Sequence, residues 1–178
     1  MDEIKALLAS CDLKTHSGIR DYAIVIVLFH TGVRVGELIS MSFPDWKNRL
    51  LRVDVKTGVR YVPLGLSSLQ ALERYIRKWN ILHDPMWIGK YGPLTTSGVL
   101  QMVRRRCTSF GIPYKGVHAF RRSAAAQMKR MGMNDSDIME IMGWGEVTML
   151  RRYIASVSLE LAQSAHSKYS PVGSVLNR

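Results

Sequence analysis

Apolar positions along this chain of 178 residues fall mostly at helical spacing. Asp2 stands where it can cap a short helix through Ala9, and Ser17 where it can cap a second running to about His30. The centre of that second segment, Ala23-Ile24-Val25-Ile26-Val27-Leu28, is β-branched enough for a buried strand, but its length and leading cap favour a helix. Thr31-Gly32 ends it, and Gly36 to Met41 makes a further short helix that stops ahead of Pro44. Alternation of apolar and polar residues takes over from Leu50 to Val55 and again from Val59 to Pro63. Lys56-Thr57-Gly58 lies between, which predicts a β-hairpin with glycine in its turn. Ser67 caps a helix to about Trp79, and Ser97 or Thr95 one to about Phe110. Helices near 118–131, 135–142, 147–154 and 158–168 follow, punctuated by Gly132, Gly143 and Gly145. Pro171 to Arg178 reads as a loose tail. With no repeat and no linker, the pattern predicts one compact domain, mainly α with a small antiparallel β-sheet (α+β).

Composition narrows the class. Apolar residues make up 47% and charged residues 22%, which excludes disorder throughout. The longest apolar run, Tyr22 to Phe29, is far short of the roughly 20 residues that span a bilayer. No charged-then-apolar leader follows Met1, so secretion is not expected. Cys11 and Cys107 are isolated and form neither a disulfide framework nor a zinc-ligand pattern, which fits a reducing cytoplasm.

Charge changes the picture more. The formal net charge is +11, and between Asp84 and Asp135 there is no acidic residue but there are nine basic ones. Such a stretch repels itself unless a polyanion relieves it, and nucleic acid is the commonest such partner. Lys90, Arg104, Arg105, Arg106, Lys115 and Arg122 are the candidate DNA contacts. No helix pairs a basic face with a bulky apolar one as membrane-surface binding requires.

No Walker loop, H-E-x-x-H, G-x-S-x-G or G-x-G-x-x-G is present. Asp135 and Asp137 sit at a helix start, where capping is their expected role. No pair of carboxylates marks a metal site. Chemistry on a phosphodiester would then be expected to need no metal or other cofactor, with side-chain cations supplying the charge stabilisation. Arg34 lies between a glycine turn and a helix start, Lys56 at a hairpin tip, and His118 and Arg121 three apart on one helix face. Any of seven tyrosines can serve as a nucleophile; spacing alone does not choose among Tyr114, Tyr153 and Tyr169.

Taken in order, these pieces resemble the catalytic domain of the tyrosine recombinases, the phage-integrase family. Thr31-Gly32-Val33-Arg34-Val35-Gly36-Glu37-Leu38 is similar to the box of the first catalytic arginine. Val55-Lys56-Thr57-Gly58-Val59-Arg60-Tyr61-Val62-Pro63-Leu64 resembles the hairpin that carries the catalytic lysine. His118-Ala119-Phe120-Arg121-Arg122 resembles the H-x-x-R box, and Met142-Gly143-Trp144 followed nine residues later by Tyr153 resembles the final one. Trp144 stands where histidine is commoner. The resemblance runs from about Met1 to about Lys168, so residues 1–169 would form the catalytic domain and 170–178 the tail. Family members usually carry an N-terminal DNA-binding domain; none is read in these residues, which would then be a fragment of a longer protein.

The resemblance implies a site-specific recombinase that cuts and rejoins DNA through a 3′-phosphotyrosyl intermediate on Tyr153. Arg34 and Arg121 would hold the phosphate, His118 would act as acid/base, Lys56 would protonate the leaving oxygen and Trp144 would donate one N–H. Glu37 would orient Arg34. Double-stranded DNA is the implied partner, in a tetrameric synapse joined through the C-terminal helix with Leu159, Leu161, Ala162 and Ala165. The implied location is cytoplasmic, at the nucleoid. A type IB topoisomerase-like enzyme, a DNA-binding module without catalysis and an RNA-binding domain are the rival readings.

Overall fold

The computed structural model describes residues 2–55, 58–169 and 172. The chain forms two compact units, Met1–Ala124 and Ala125–Arg178. In the first, helices α1 (Asp2–Ala9), α2 (His16–Thr31) and α3 (Val35–Ile39) precede strands β1 (Leu50–Val55) and β2 (Gly58–Pro63). Helix α4 (Leu66–Trp79), a two-residue pair β3 (Ile88–Gly89) and β4 (Gly92–Pro93), and helix α5 (Thr96–Ser109) follow. Helix α6 (His118–Arg130) holds the division between the units, and α7 (Asp135–Met142) and α8 (Val147–Lys168) complete the second. Helices dominate, as the pattern predicted, and the predicted β1–β2 hairpin is joined by a second small antiparallel sheet.

Helix α2 is the centre of the first unit. Ala23, Ile24, Val25, Val27 and Leu28 are all essentially buried, and α1, α3 and α4 pack on it. Burial on nearly every side is why its sequence reads as a continuous apolar run. Its cap is Thr15, not Ser17: the Thr15 hydroxyl accepts the Gly18 N–H at 3.0 Å and donates to the Asp12 carbonyl at 2.9 Å. The chain wraps so tightly there that a Cβ on Gly18 would lie 1.9 Å from the Asp12 oxygen. Ser67 likewise does not cap α4. Gly65 holds that position, its N–H donating to His30 Nε2 at 3.0 Å. Thr95, one of the two expected candidates, caps α5 through the Gly98 N–H.

Strands β1 and β2 pair in register from Leu50↔Pro63 to Val55↔Gly58. Leu51, Val53 and Val62 face the core. The second, tiny β3–β4 pair was not expected, because two-residue strands carry too little alternation to be read. Tyr75 anchors it: its buried hydroxyl donates to the Met86 carbonyl and accepts the Ile88 N–H, and burial pushes its pKa up to about 12.

In the second unit the two helices expected at 147–154 and 158–168 are one helix, α8. Residues 155–157 contain neither glycine nor proline, and the Ser158 hydroxyl bonds back to the Ile154 carbonyl within the helix. Asp135 and Asp137 occupy the first turn of α7 rather than its cap, which is Asn134, and Asp135 pairs with Lys129. Negative charge in a first turn still complements the helix dipole. Of the predicted tail, only Val172 lies among the described residues.

One polar cluster ties the first unit together. Asp21, 4% exposed, accepts two bonds from Arg20 on Oδ1 and two from Arg106 on Oδ2, at 2.6–2.9 Å. Arg106 also donates to the Ser10 carbonyl and Arg20 to that of Ile88, so α1, α2, α5 and β3 share one charge network. Removing one member of a buried ion pair costs about 3–5 kcal/mol, because its partners stay charged and buried. Asp21→Asn is therefore expected to lower the stability of the first unit by about that amount. Urea unfolding followed by tryptophan fluorescence measures it, and an unchanged midpoint would contradict the structural role assigned to the cluster.

Candidate active site

The left-handed turn at Gly32 (φ 62°) closes α2 and starts the site. Thr31, fully buried, donates its hydroxyl to the Val27 carbonyl and accepts the Val33 N–H, which fixes the path of the chain out of the helix. Arg34 then takes the N-cap position of α3 with its side chain 47% exposed. Arg121, on the first turn of α6, is 3% exposed and donates through Nη1 to the Gly32 carbonyl. The two arginine boxes, 87 residues apart in the sequence, thus meet at one turn. His118 lies one helical turn before Arg121 and is exposed.

Glu37 holds Arg34. It is the third residue of α3 and reaches back to complete a capping box: Oε2 accepts the Arg34 N–H and Oε1 the Arg34 Nη1, both at 2.7 Å. Its other partner is Arg60 of β2, whose Nη2 donates to Oε2 at 2.8 Å, with both side chains 8% exposed. Burial by itself would raise the Glu37 pKa. The Arg34 N–H, the Arg34 guanidinium and the Arg60 charge outweigh it and hold the carboxyl below its ordinary value, so Glu37 is an anion at neutral pH.

The sequence reading did not single out Arg60, although the signal was present. Arg60 pairs with Val53 and shares the inward face of β2 with Val62, so strand alternation puts a charge at a core-facing position. Lys56, the hairpin cation, lies outside the described residues; Val55 and Gly58 on either side of it are paired.

The second unit builds the tyrosine. Gly143, left-handed at φ 63°, ends α7, and the Trp144 N–H closes the cap on the Met139 carbonyl at 2.9 Å. That turn lays the buried indole against the Tyr153 ring, with centroids 4.6 Å apart and planes 41° apart. Leu150, Ile154 and Val157 anchor α8 in the core of this unit, leaving Tyr153 half-buried at the edge of their stripe. The indole Nε1 is buried, and the indole ring packs against Tyr153.

The expected DNA contacts divide. Arg104, Arg105 and Arg122 are exposed, Arg104 over the Tyr114 ring. Lys90 is exposed in the β3–β4 turn, over the Tyr91 ring. Lys115 is exposed but paired with Glu3. Arg106 corrects the expectation: both edges of its guanidinium are engaged inside the fold by Asp21 and Ser10, so it serves the fold's charge network. Lys90, Arg105 and Arg106 line a cleft of about 620 Å³ with His16, Trp79 and Phe110. It sits at the start of α2, and Arg34 lies beyond the other end of a helix about 24 Å long, so the cleft is separate from the arginine pair. Among the described residues no group of three His, Cys, Asp or Glu side chains is gathered to hold a metal, and no helix is long and apolar enough to cross a membrane.

Known proteins are similar to this chain in sequence and in fold. Residues 1–159 match the sequence profile of the phage integrase family. Tyrosine recombinase XerD of Listeria monocytogenes is 25% identical over 183 residues, covering 96% of this chain and 61% of XerD. The crystal structure of XerA recombinase superposes with a TM-score of 0.81 at 26% identity, over 96% of this chain and 62% of XerA. XerH site-specific recombinase, in a complex with its difH substrate, shares the fold with a TM-score of 0.75 at 17% identity, over 93% of this chain and 51% of XerH. The chain spans about two fifths to three fifths of the length of the curated relatives it matches. From its first helix to the Tyr153 helix, the chain belongs to the phage integrase family and has the fold of a tyrosine recombinase catalytic domain.

Proposed function

We propose that the chain is the catalytic part of a site-specific DNA recombinase acting through Tyr153. The observation that supports this reading is the bond from Arg121 Nη1 to the Gly32 carbonyl, two residues before Arg34; on this reading the two arginines form the phosphate clamp that a metal-free phosphoryl transfer needs. In the reaction, the Tyr153 oxygen attacks a DNA phosphorus, forming a 3′-phosphotyrosyl bond as the bond to the 5′-oxygen breaks. The tyrosine proton passes to His118, and Lys56 gives a proton to the departing 5′-oxygen. A 5′-hydroxyl of a second strand then reverses the step, so the phosphoester bond is conserved and no nucleotide is consumed. Arg34 and Arg121 offset charge on the non-bridging oxygens, Glu37 orients Arg34, and Trp144 supports Tyr153 and lends its N–H when DNA is bound.

The net charge of +11 and the DNA-bound state of the XerH relative support double-stranded DNA as the partner, with Lys90, Arg104, Arg105, Arg122 and Lys115 contacting the backbone in the cytoplasm. The last three turns of α8 support assembly into a synapse of several copies: Leu159 is 71% exposed there.

A nicked suicide substrate tests the central claim. Wild-type protein is expected to form an SDS-resistant adduct, and Tyr153→Phe, which keeps the ring against Trp144, is expected to form none while still binding DNA. An adduct with Tyr153→Phe would move the nucleophile elsewhere. Relaxation of supercoils without recombinant product would favour the topoisomerase reading instead.

Cleavage is expected to persist in excess EDTA; loss of activity that magnesium restores would contradict the arginine clamp. At Trp144, single-turnover cleavage should fall most for Trp144→Ala, which loses the packing on Tyr153 as well as the donor. Trp144→Phe keeps a ring and isolates the donor, a loss of up to about 10²–10³ where charge develops. Trp144→Phe at the wild-type rate would leave packing as its whole contribution.

A further inference from the structure

We propose that Arg60 is a positioning residue for strand cleavage: it holds the Glu37 carboxylate in the orientation that presents Arg34 to the phosphate. The inference rests on the recombinase reading for its activity assay, and its geometric basis is independent of that reading. Arg60 is 8% exposed and its Nη2 is committed to Glu37, so it acts through that carboxylate and does not touch DNA. Glu37 divides its two oxygens: Oε1 receives the Arg34 side chain, while Oε2 receives the Arg34 backbone N–H and Arg60. Arg60 thereby keeps Oε2 from turning onto the Arg34 guanidinium. Without it, the carboxylate can fork both oxygens onto Arg34 and draw that side chain inward, away from a substrate.

Charge counting points the same way. Arg34 and Arg60 are the two cations that set the titration of Glu37. Together the three groups carry a net +1. With Arg60 removed, Glu37 and Arg34 together carry no net charge, and the field that Arg34 offers the one phosphate under attack weakens. Arg34 spends one side-chain donor on Glu37 and is half exposed, so it keeps donors for a ligand. The position also ties two parts of the site to one anion. Arg60 belongs to the hairpin that carries Lys56 in sequence, and Arg34 caps α3.

The test uses the whole chain and single-turnover adduct formation on the suicide substrate. Arg60→Met keeps bulk and removes charge. It is expected to slow adduct formation by about 10²-fold, the loss that follows a misplaced reacting group, with DNA affinity unchanged. Arg60→Lys should recover most of the rate. The pH–rate profile separates positioning from packing. Loss of the Arg60 charge raises the Glu37 pKa relative to wild type, so Arg60→Met should lose activity at higher pH than wild type as pH falls. In a Glu37→Gln background, Arg60→Met should add far less than its own single loss. A wild-type rate and unmoved acid limb in Arg60→Met, or losses that multiply fully in the double variant, would overturn the proposal. Thermal unfolding reports whether Arg60→Met folds. If it does not, Arg60→Gln, which keeps a donor and loses the charge, takes its place: a Glu37 carboxyl ¹³C resonance that titrates at higher pH than in wild type supports the clamp, and an unmoved titration overturns it. That readout needs no activity, so wild-type protein that forms no adduct defeats the recombinase reading and still leaves the Arg60 clamp decided.

Discussion

The carbonyl oxygen of Gly32 is the point on which the site of the first unit depends. A helix that ends in a left-handed residue turns its chain sharply and leaves carbonyl groups without helical donors. Here one of those carbonyls receives the Arg121 guanidinium from a helix that begins 86 residues later. The same turn delivers Arg34 to the start of α3, where Glu37 catches both its N–H and its side chain. Glycine allows this geometry at little steric cost, whereas a side chain at the same φ would strain it. Helix termination, the capping of α3 and the anchoring of Arg121 are therefore one local event.

A second theme is how positive charge is kept inside. Asp21 and Glu37 are each buried and each held by two arginines. One carboxylate between two guanidiniums leaves an excess positive charge, which would be costly in a dry interior. In the Asp21 cluster both arginines are largely enclosed and donate further to the carbonyls of Ser10 and Ile88, and the result is structural. In the Glu37 cluster one arginine is enclosed and the other reaches solvent, so the excess is displayed at the surface. The same arrangement thus yields a brace in one place and a solvent-facing cation in the other, and exposure of a single guanidinium separates them.

Much of this was legible in the sequence. Helix α2 and the β1–β2 hairpin follow from long periodic runs and from glycines at forced turns, signals that survive tertiary packing, while the order of the boxes was legible through the family resemblance. The misses share a physical cause. Arg106 looked like one more member of a basic run, because a local run cannot reveal a partner on another helix such as Asp21. Ser17 lost the α2 cap to Thr15 because the identity of a cap depends on the incoming chain path, which the Asp12 carbonyl settles. Arg60 was readable from alternation but went unread, since an arginine in a short strand is ordinarily solvated. The nine-residue spacing from Trp144 to Tyr153 had meaning only through the family resemblance, and the contact between their rings came from the structure.

The continuity of α8 has a mechanical consequence. Tyr153 and Lys168 belong to one unbroken helix, with no glycine or proline between them to act as a hinge. Fifteen residues at 1.5 Å each make an arm of about 22 Å. Leu150, Ile154 and Val157 clamp its near end, while most side chains of the far end stand in solvent. A rod held at one end turns any sideways pull on the other into torque at the clamp. Whatever grips the exposed end of α8 thereby acts on the tilt of the Tyr153 ring against Trp144, and a break in the helix at residues 155–157 would disconnect the two.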